Sequence, residues 1–260
     1  MTLERRSILS VAAGALATGF TTACARGHRP DAARPSTAEG STATGSPDAT
    51  PTPPPTGTVH LAGEVTHGPR RVPQVALTFH GAGDPALTRR LLAAFAGGGA
   101  TVTVLAVGTW LDQRPEMARA ILAGGHELGN HTLSHGDITA MSPERAYAEI
   151  SGCADRLRRL TGSPGRWFRP SQARHASGMV RAQAARAGYH SCLSYDLDSL
   201  DSTDPGADAV AGTVLGKVRN GSIVSMHLGH AGTVRAMPAI LDGLRRRGLR
   251  PVTVSTLLAS

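Results

Sequence analysis

Aromatic residues make up only 3% of this 260-residue chain, and lysine is almost absent, with Lys217 the single one among 27 basic residues. The formal net charge of +8 is therefore carried by arginine. That charge favours contact with anionic polymers such as acidic cell-wall material. No cluster of basic residues is interleaved with aromatics, so no nucleic-acid partner is expected. Cysteine is also scarce, at three, too few for a disulfide-built scaffold. No internal repeat is visible beyond an alternation of strand-like and helix-like segments. At 40% apolar and 18% charged residues, what remains has the composition of a globular protein.

The first 24 residues have the pattern of an export signal. Arg5 and Arg6 precede the apolar stretch VAAGALATGF, which is too short for a comfortable membrane span. The paired arginines resemble a twin-arginine signal, and Cys24 after small residues resembles a lipoprotein attachment site. Thr21 stands where such signals usually carry an aliphatic residue, and a plain cleaved signal is the competing reading. Residues 25–58 are dominated by Pro, Ser, Thr, Ala and Gly and show no apolar periodicity. Such a segment cannot bury enough surface to offset its ordering entropy, and it is expected to be a tether. The folded unit is expected over residues 59–260, exported and extracellular or attached to the cell envelope.

Within that unit, short β-branched runs alternate with amphipathic stretches. Strands are expected at 75–79, 101–108, 167–170, 190–196, 221–227 and 250–256. Helices are expected at 85–99, 115–125, 142–162, 177–188, 205–218 and 233–248. Ser142 is placed to cap the third helix. Six or seven such units imply a parallel α/β fold, either a barrel or a doubly wound sheet. In both, the residues just after the strands share one rim. Cys153 falls in an expected helix and Cys192 in an expected strand; a disulfide and two buried thiols are both compatible with that.

The strand ends are rich in titratable groups: His80 and Asp84, His131 and His135, Arg169, then Asp196, Asp198 and Asp201, and finally His227 and His230. His131 and His135 lie four apart in HTLSH, a spacing that on one helical turn lets both imidazoles grip one cation. Gly129 and Asn130 before them suit a close backbone approach. Arg169 follows two aromatics and precedes Pro170. His227 ends an apolar strand, where a histidine is either a satisfied core group or an acid/base.

The ordered set TF, HTLSH, FRP, DSLD and IVSMH resembles the polysaccharide deacetylase family, carbohydrate esterase family four, also called the NodB homology domain. The resemblance runs from about Val75 to Leu258. It implies a distorted (β/α) barrel holding a divalent metal, usually zinc, that removes N- or O-acetyl groups from polymeric sugars. It also implies metal binding by His131 and His135, a base-orienting role for Arg169, an acid role for His227, and Asp201 as its partner. Ser202 stands where the family usually has tryptophan. The departure is in the first motif: the family's T-F-D-D-G, with a base and a metal-binding aspartate, becomes T-F-H-G around His80 and Gly81. Two rearrangements would compensate. Asp84 could swing in as third ligand on a free GAG loop with His80 as base, or His80 could bind the metal with Asp84 as base.

The implied partner is an acetylated polysaccharide, either an N-acetylated glycan such as peptidoglycan or chitooligosaccharide, or O-acetylated xylan. The chain itself is expected to be a monomer, with membrane contact only through Cys24. The competing reading is a catalytically silent glycan-binding protein on the same fold. A weaker one is an esterase acting on small acetyl esters.

Overall fold

Strand β2 (Gln74–Gly81) shows how the chain sorts its faces. Strand residues alternate between two sides. Val75, Leu77 and Phe79 point outward into the main core, while Ala76 points inward to a separate apolar cluster. Strand β7 (Ile223–His227) does the same: Val224 and Met226 join the outer core, and Ile223 the inner cluster. The computed structural model describes residues 63–260. The export signal, Cys24, the tether of 25–58 and residues 59–62 lie outside the described residues.

The elements follow in the order β1 (Gly63–Val65), β2, α1 (Pro85–Gly97), β3 (Thr103–Ala106), α2 (Gly108–Gln113), α3 (Pro115–Ala123) and β4 (Glu127–Asn130). Then come α4 (Pro143–Thr161), α5 (Gly178–Arg186), β5 (Ser191–Leu193), β6 (Leu197–Asp198), α6 (Ala207–Lys217), β7, α7 (Ala231–Arg246), β8 (Arg250–Pro251) and α8 (Val254–Leu258). Every ladder is parallel, in the order β4-β3-β2-β7-β6, with β8 beside the start of β2 and β1 beside β5. Phe168 links β4 to β5 through single-residue bridges to Asn130 and Cys192. The chain passes from β5 to β6 over three residues, so these bridges lead from the β4 edge of the sheet back toward its β6 edge without a continuous ladder. The result is a distorted barrel.

The outer core lies between this sheet and helices α1, α3, α6 and α7, whose buried faces carry Leu91, Phe95, Met117, Ile121, Val214 and Ile240. The inner cluster of Leu105, Trp167, Leu193 and Ile223 fills the barrel, and Val254 and Leu257 of α8 belong to it. Helix α4 begins at Ser142, whose hydroxyl accepts the Arg145 N–H as expected of a cap. It ends at Gly162, where φ of 80° suits glycine.

Several expectations need correction. Residues 127–130, where no strand was expected, form β4, because their backbone pairs with Thr103–Ala106. Helix α2 was not foreseen. The expected strand at 167–170 shrinks to the bridges at Phe168, and the one at 250–256 to two residues, after which Thr253 caps α8 through the Thr256 N–H. Cys153 and Cys192 are free, buried thiols rather than a disulfide. Among the described residues no helix is long and apolar enough to cross a membrane.

Candidate metal centre and acid/base pair

Strand register builds the first half of the site. His80 ends the inward column of β2 and His227 ends that of β7, and the two are paired Cα partners. Their rings stack with centroids 4.3 Å apart and planes inclined by 16°. One pair lower, Thr78 faces Ser225, and the Ser225 Oγ lies 2.9 Å from His80 Nε2.

The second half comes from the loop after β4. Asn130 turns outward, where its amide donates to the Ile150 carbonyl and its Oδ1 accepts the Thr132 N–H. His131 then points inward and is fully buried. The loop is not the helical turn expected from the four-residue spacing. Thr132 and His135 have φ of 68° and 62°, a left-handed conformation that bulky residues adopt only where the surroundings enforce it. The Thr132 hydroxyl accepts the His135 N–H at 3.2 Å. This tight loop, rather than a helix, brings the two imidazoles to one point.

His80, His131 and His135 form a group whose ligand atoms all lie within 4.8 Å of one another. His131 Nδ1 faces the Arg169 carbonyl at 3.0 Å. A carbonyl only accepts, so Nδ1 carries the proton and Nε2 is left as a lone pair. That lone pair is 2.6 Å from His80 Nδ1 and 3.1 Å from His135 Nε2. Nitrogens so close need a cation or a shared proton among them. Burial, reinforced by the neighbouring imidazoles and Arg169, holds His80 and His131 well below the ordinary histidine pKa. Burial and His227 lower His135 as well. Protons are thus disfavoured here, and three neutral imidazoles suit a borderline-soft divalent cation.

Asp84 does not join this group. Its carboxylate caps α1, accepting the Ala86 N–H at 2.6 Å, and its side chain is exposed. Nor is the GAG loop free to swing: the Gly83 carbonyl accepts the Trp110 indole N–H at 2.9 Å. A Cβ at Gly83 would lie 2.5 Å from Gly229 Cα. Gly81 is equally closed, since a Cβ there would lie 2.8 Å from Ala106 Cα.

His227 and Asp201 form the neighbouring pair. His227 Nδ1 is 2.7 Å from Asp201 Oδ1, while the His227 N–H and the Thr233 hydroxyl donate to Oδ2 at 2.8 Å and 2.6 Å. Burial alone would raise the Asp201 pKa, but these donors outweigh it and hold the carboxyl below its ordinary value. An ionised Asp201 fixes the His227 tautomer with Nδ1–H toward it, leaving Nε2 as the ring's working atom.

Arg169 is completely buried. Its Nε and Nη2 donate to the Leu193 and Ser194 carbonyls, and Nη1 has no hydrogen-bond partner among the described residues. Desolvation lowers its pKa to about 10. Asp196 and Asp198 serve structure instead: Asp196 accepts from Arg70 and the Ile223 N–H, and Asp198 from the Leu200 N–H. Ser202 is exposed. Sequence reasoning missed Ser225 and Thr233. Ser225 lies two residues before His227 on a strand and so shares its face, a signal that was available. Thr233, on α7, carried none.

Residues 67–192 match the sequence profile of the family described as polysaccharide deacetylase. A peptidoglycan-N-acetylglucosamine deacetylase of Bacillus cereus is 31% identical over 188 residues, 71% of this chain and 87% of that protein. A chitooligosaccharide deacetylase of Bradyrhizobium is 29% identical over 197 residues, 67% and 85% of the two chains. The crystal structure of a family-four carbohydrate esterase pseudoenzyme from Bacillus anthracis superposes with a TM-score of 0.71 at 21% identity, over 75% of this chain and 69% of that one, a likeness of fold. With its barrel, its ordered motifs and a relative matched over most of its length, this chain belongs to the polysaccharide deacetylase family.

Proposed function

We propose that this protein is an exported, metal-dependent deacetylase that removes N-acetyl groups from a glycan of the peptidoglycan or chitooligosaccharide type. The observation that carries this reading is the convergence of His80, His131 and His135 beside an intact His227–Asp201 pair. The relatives named for deacetylation of such glycans support the substrate class. The reading makes His80 the third metal ligand, in place of the family's aspartate, and leaves Asp84 as a helix cap.

A divalent cation such as zinc, held by the three imidazoles, supplies Lewis acidity toward a carbonyl and lowers the pKa of water. The chain's own residues do the rest. The Arg169 carbonyl fixes the His131 tautomer that turns its Nε2 lone pair inward, and Ser225 holds the far nitrogen of the His80 ring. His227 Nε2 takes the proton released as water adds to the acetyl carbon, and it returns that proton to the sugar nitrogen as the C–N bond breaks. Acetate and a free amine result. Asp201, held ionised by its three donors, stabilises the imidazolium that exists between these steps.

The test is acetate release from N-acetylated chitooligosaccharides by the zinc-loaded protein. Release that vanishes in His227→Ala supports the reading. Glycan binding without release, in protein carrying stoichiometric zinc, would instead support a silent binding protein, a reading favoured by the loss of both first-motif carboxylates.

A further inference from the structure

The two ends of the barrel differ in charge. The rim around the histidines mixes signs, with Asp84, Asp198 and Asp204 beside Arg145, Arg174 and Arg235. At the opposite end, where the strands begin, the chain carries arginines: Arg70 before β2, Arg219 before β7, Arg247 before β8 and Arg250 as its first residue. Arg70, Arg219 and Arg247 line one cleft together with Asn220. Asp196, on Arg70 at 2.8 Å, is the carboxylate paired there. Arg219, Arg247 and Arg250 are exposed and form no ion pair among the described residues. Helix C-termini attract cations, which accounts for Arg245, Arg246 and Arg247 at the end of α7 and for Arg219 just past α6, but not for Arg70 before β2 or Arg250 in β8.

This is also the end at which the chain enters the domain. Strand β1 runs parallel to β5, with Gly63 beside Ser191, so Gly63 sits at the strands' starting ends, away from His80 and His227. Sixty-two residues precede it. We propose that this arginine-lined end docks on an anionic phospholipid surface, with the three-histidine rim facing away from it. The proposal rests on the export reading, with anchoring at Cys24. Cys24 lies 39 residues before Gly63 in the sequence, and anchoring there would tie the domain to the membrane by this end. It would hold the arginines near lipid headgroups, where basic residues are attracted within about a Debye length, about 8 Å at physiological ionic strength. A diffusing wall polymer would share the charge complementarity, but it gives no reason for the cationic end and the chain entry to coincide.

The test is sedimentation of the unlipidated full chain with vesicles of phosphatidylcholine alone or with phosphatidylglycerol at three to one. Binding is expected only to the mixed vesicles and should weaken at least tenfold as salt rises from about 0.05 to about 0.5 M. The triple variant Arg219→Glu, Arg247→Glu, Arg250→Glu should lose it. The rim variant Arg90→Glu, Arg145→Glu, Arg235→Glu should keep it, with thermal melts confirming that both fold. Equal binding to neutral vesicles, equal loss in the two variants, or retention on soluble polyglutamate without vesicle binding would each overturn the proposal. Acetate release in the same preparations reads the enzymatic proposal separately, so either can fail alone.

Discussion

His80 and His227 are Cα partners across β2 and β7, and their rings stack 4.3 Å apart. The proposed ligand imidazole and the proposed acid/base imidazole therefore share one contact, set by strand register. A one-residue slip of either strand would send one ring to the outer core.

The His227–Asp201 pair gives the first prediction. His227→Ala should lower kcat by about 10²–10⁴-fold while the zinc content stays unchanged. Asp201→Asn should lower it too, because the amide no longer accepts both the Nδ1–H and the Thr233 hydroxyl. Single-turnover acetate release beside metal analysis checks both.

Gly81 gives the second. It occupies the place of the family's metal-binding aspartate, yet a Cβ there would lie 2.8 Å from Ala106 Cα and 2.9 Å from the Leu105 carbonyl. Gly81→Asp should destabilise the domain by about 1–3 kcal/mol and should not tighten zinc binding. Denaturant melts and zinc titration read the two effects.

Acid should destabilise the metal-free domain. Burial lowers the pKa of His80, His126 and His131, and of His135 with help from His227. The unfolded chain therefore takes up protons near pH 6.5 that the folded chain refuses. Stability should hold above pH 7 and fall as pH drops through 6.5. His126 lies outside the metal centre and its Nδ1 accepts the Val102 N–H, which requires the neutral ring. Replacing it by Asn should flatten part of that slope in urea melts taken between pH 5 and 7.5.

The buried thiols give a fourth prediction. Burial pushes Cys153 and Cys192 up to about 12, so neither forms thiolate near neutrality. Peptide mapping after iodoacetamide treatment at pH 8 should find both unmodified in native protein and both alkylated in urea.

Much of this was legible in the sequence, and the misses have physical causes. The rim rule located His80, His131, His227 and Asp201 because strand ends converge whatever the exact element boundaries. Gly129 was recognised as a close approach, and a Cβ there would meet the Trp167 carbonyl at 2.7 Å. The His131–His135 spacing was misassigned to a helix, because four-residue spacing cannot reveal a loop whose left-handed residues are enforced by Asn130 and Thr132. Asp84 looked free because a capping aspartate and a ligand aspartate are the same residue type. The burial of Arg169 was invisible, since only tertiary closure around Leu193 and Ser194 conceals it.

Metal stoichiometry tests the central claim most directly. Wild-type protein, incubated with excess zinc and then dialysed, should retain one equivalent by elemental analysis. His80→Ala, His131→Ala and His135→Ala should each retain little or none, while Asp84→Ala keeps the full equivalent. Full zinc in His80→Ala together with loss in Asp84→Ala would contradict the three-histidine site.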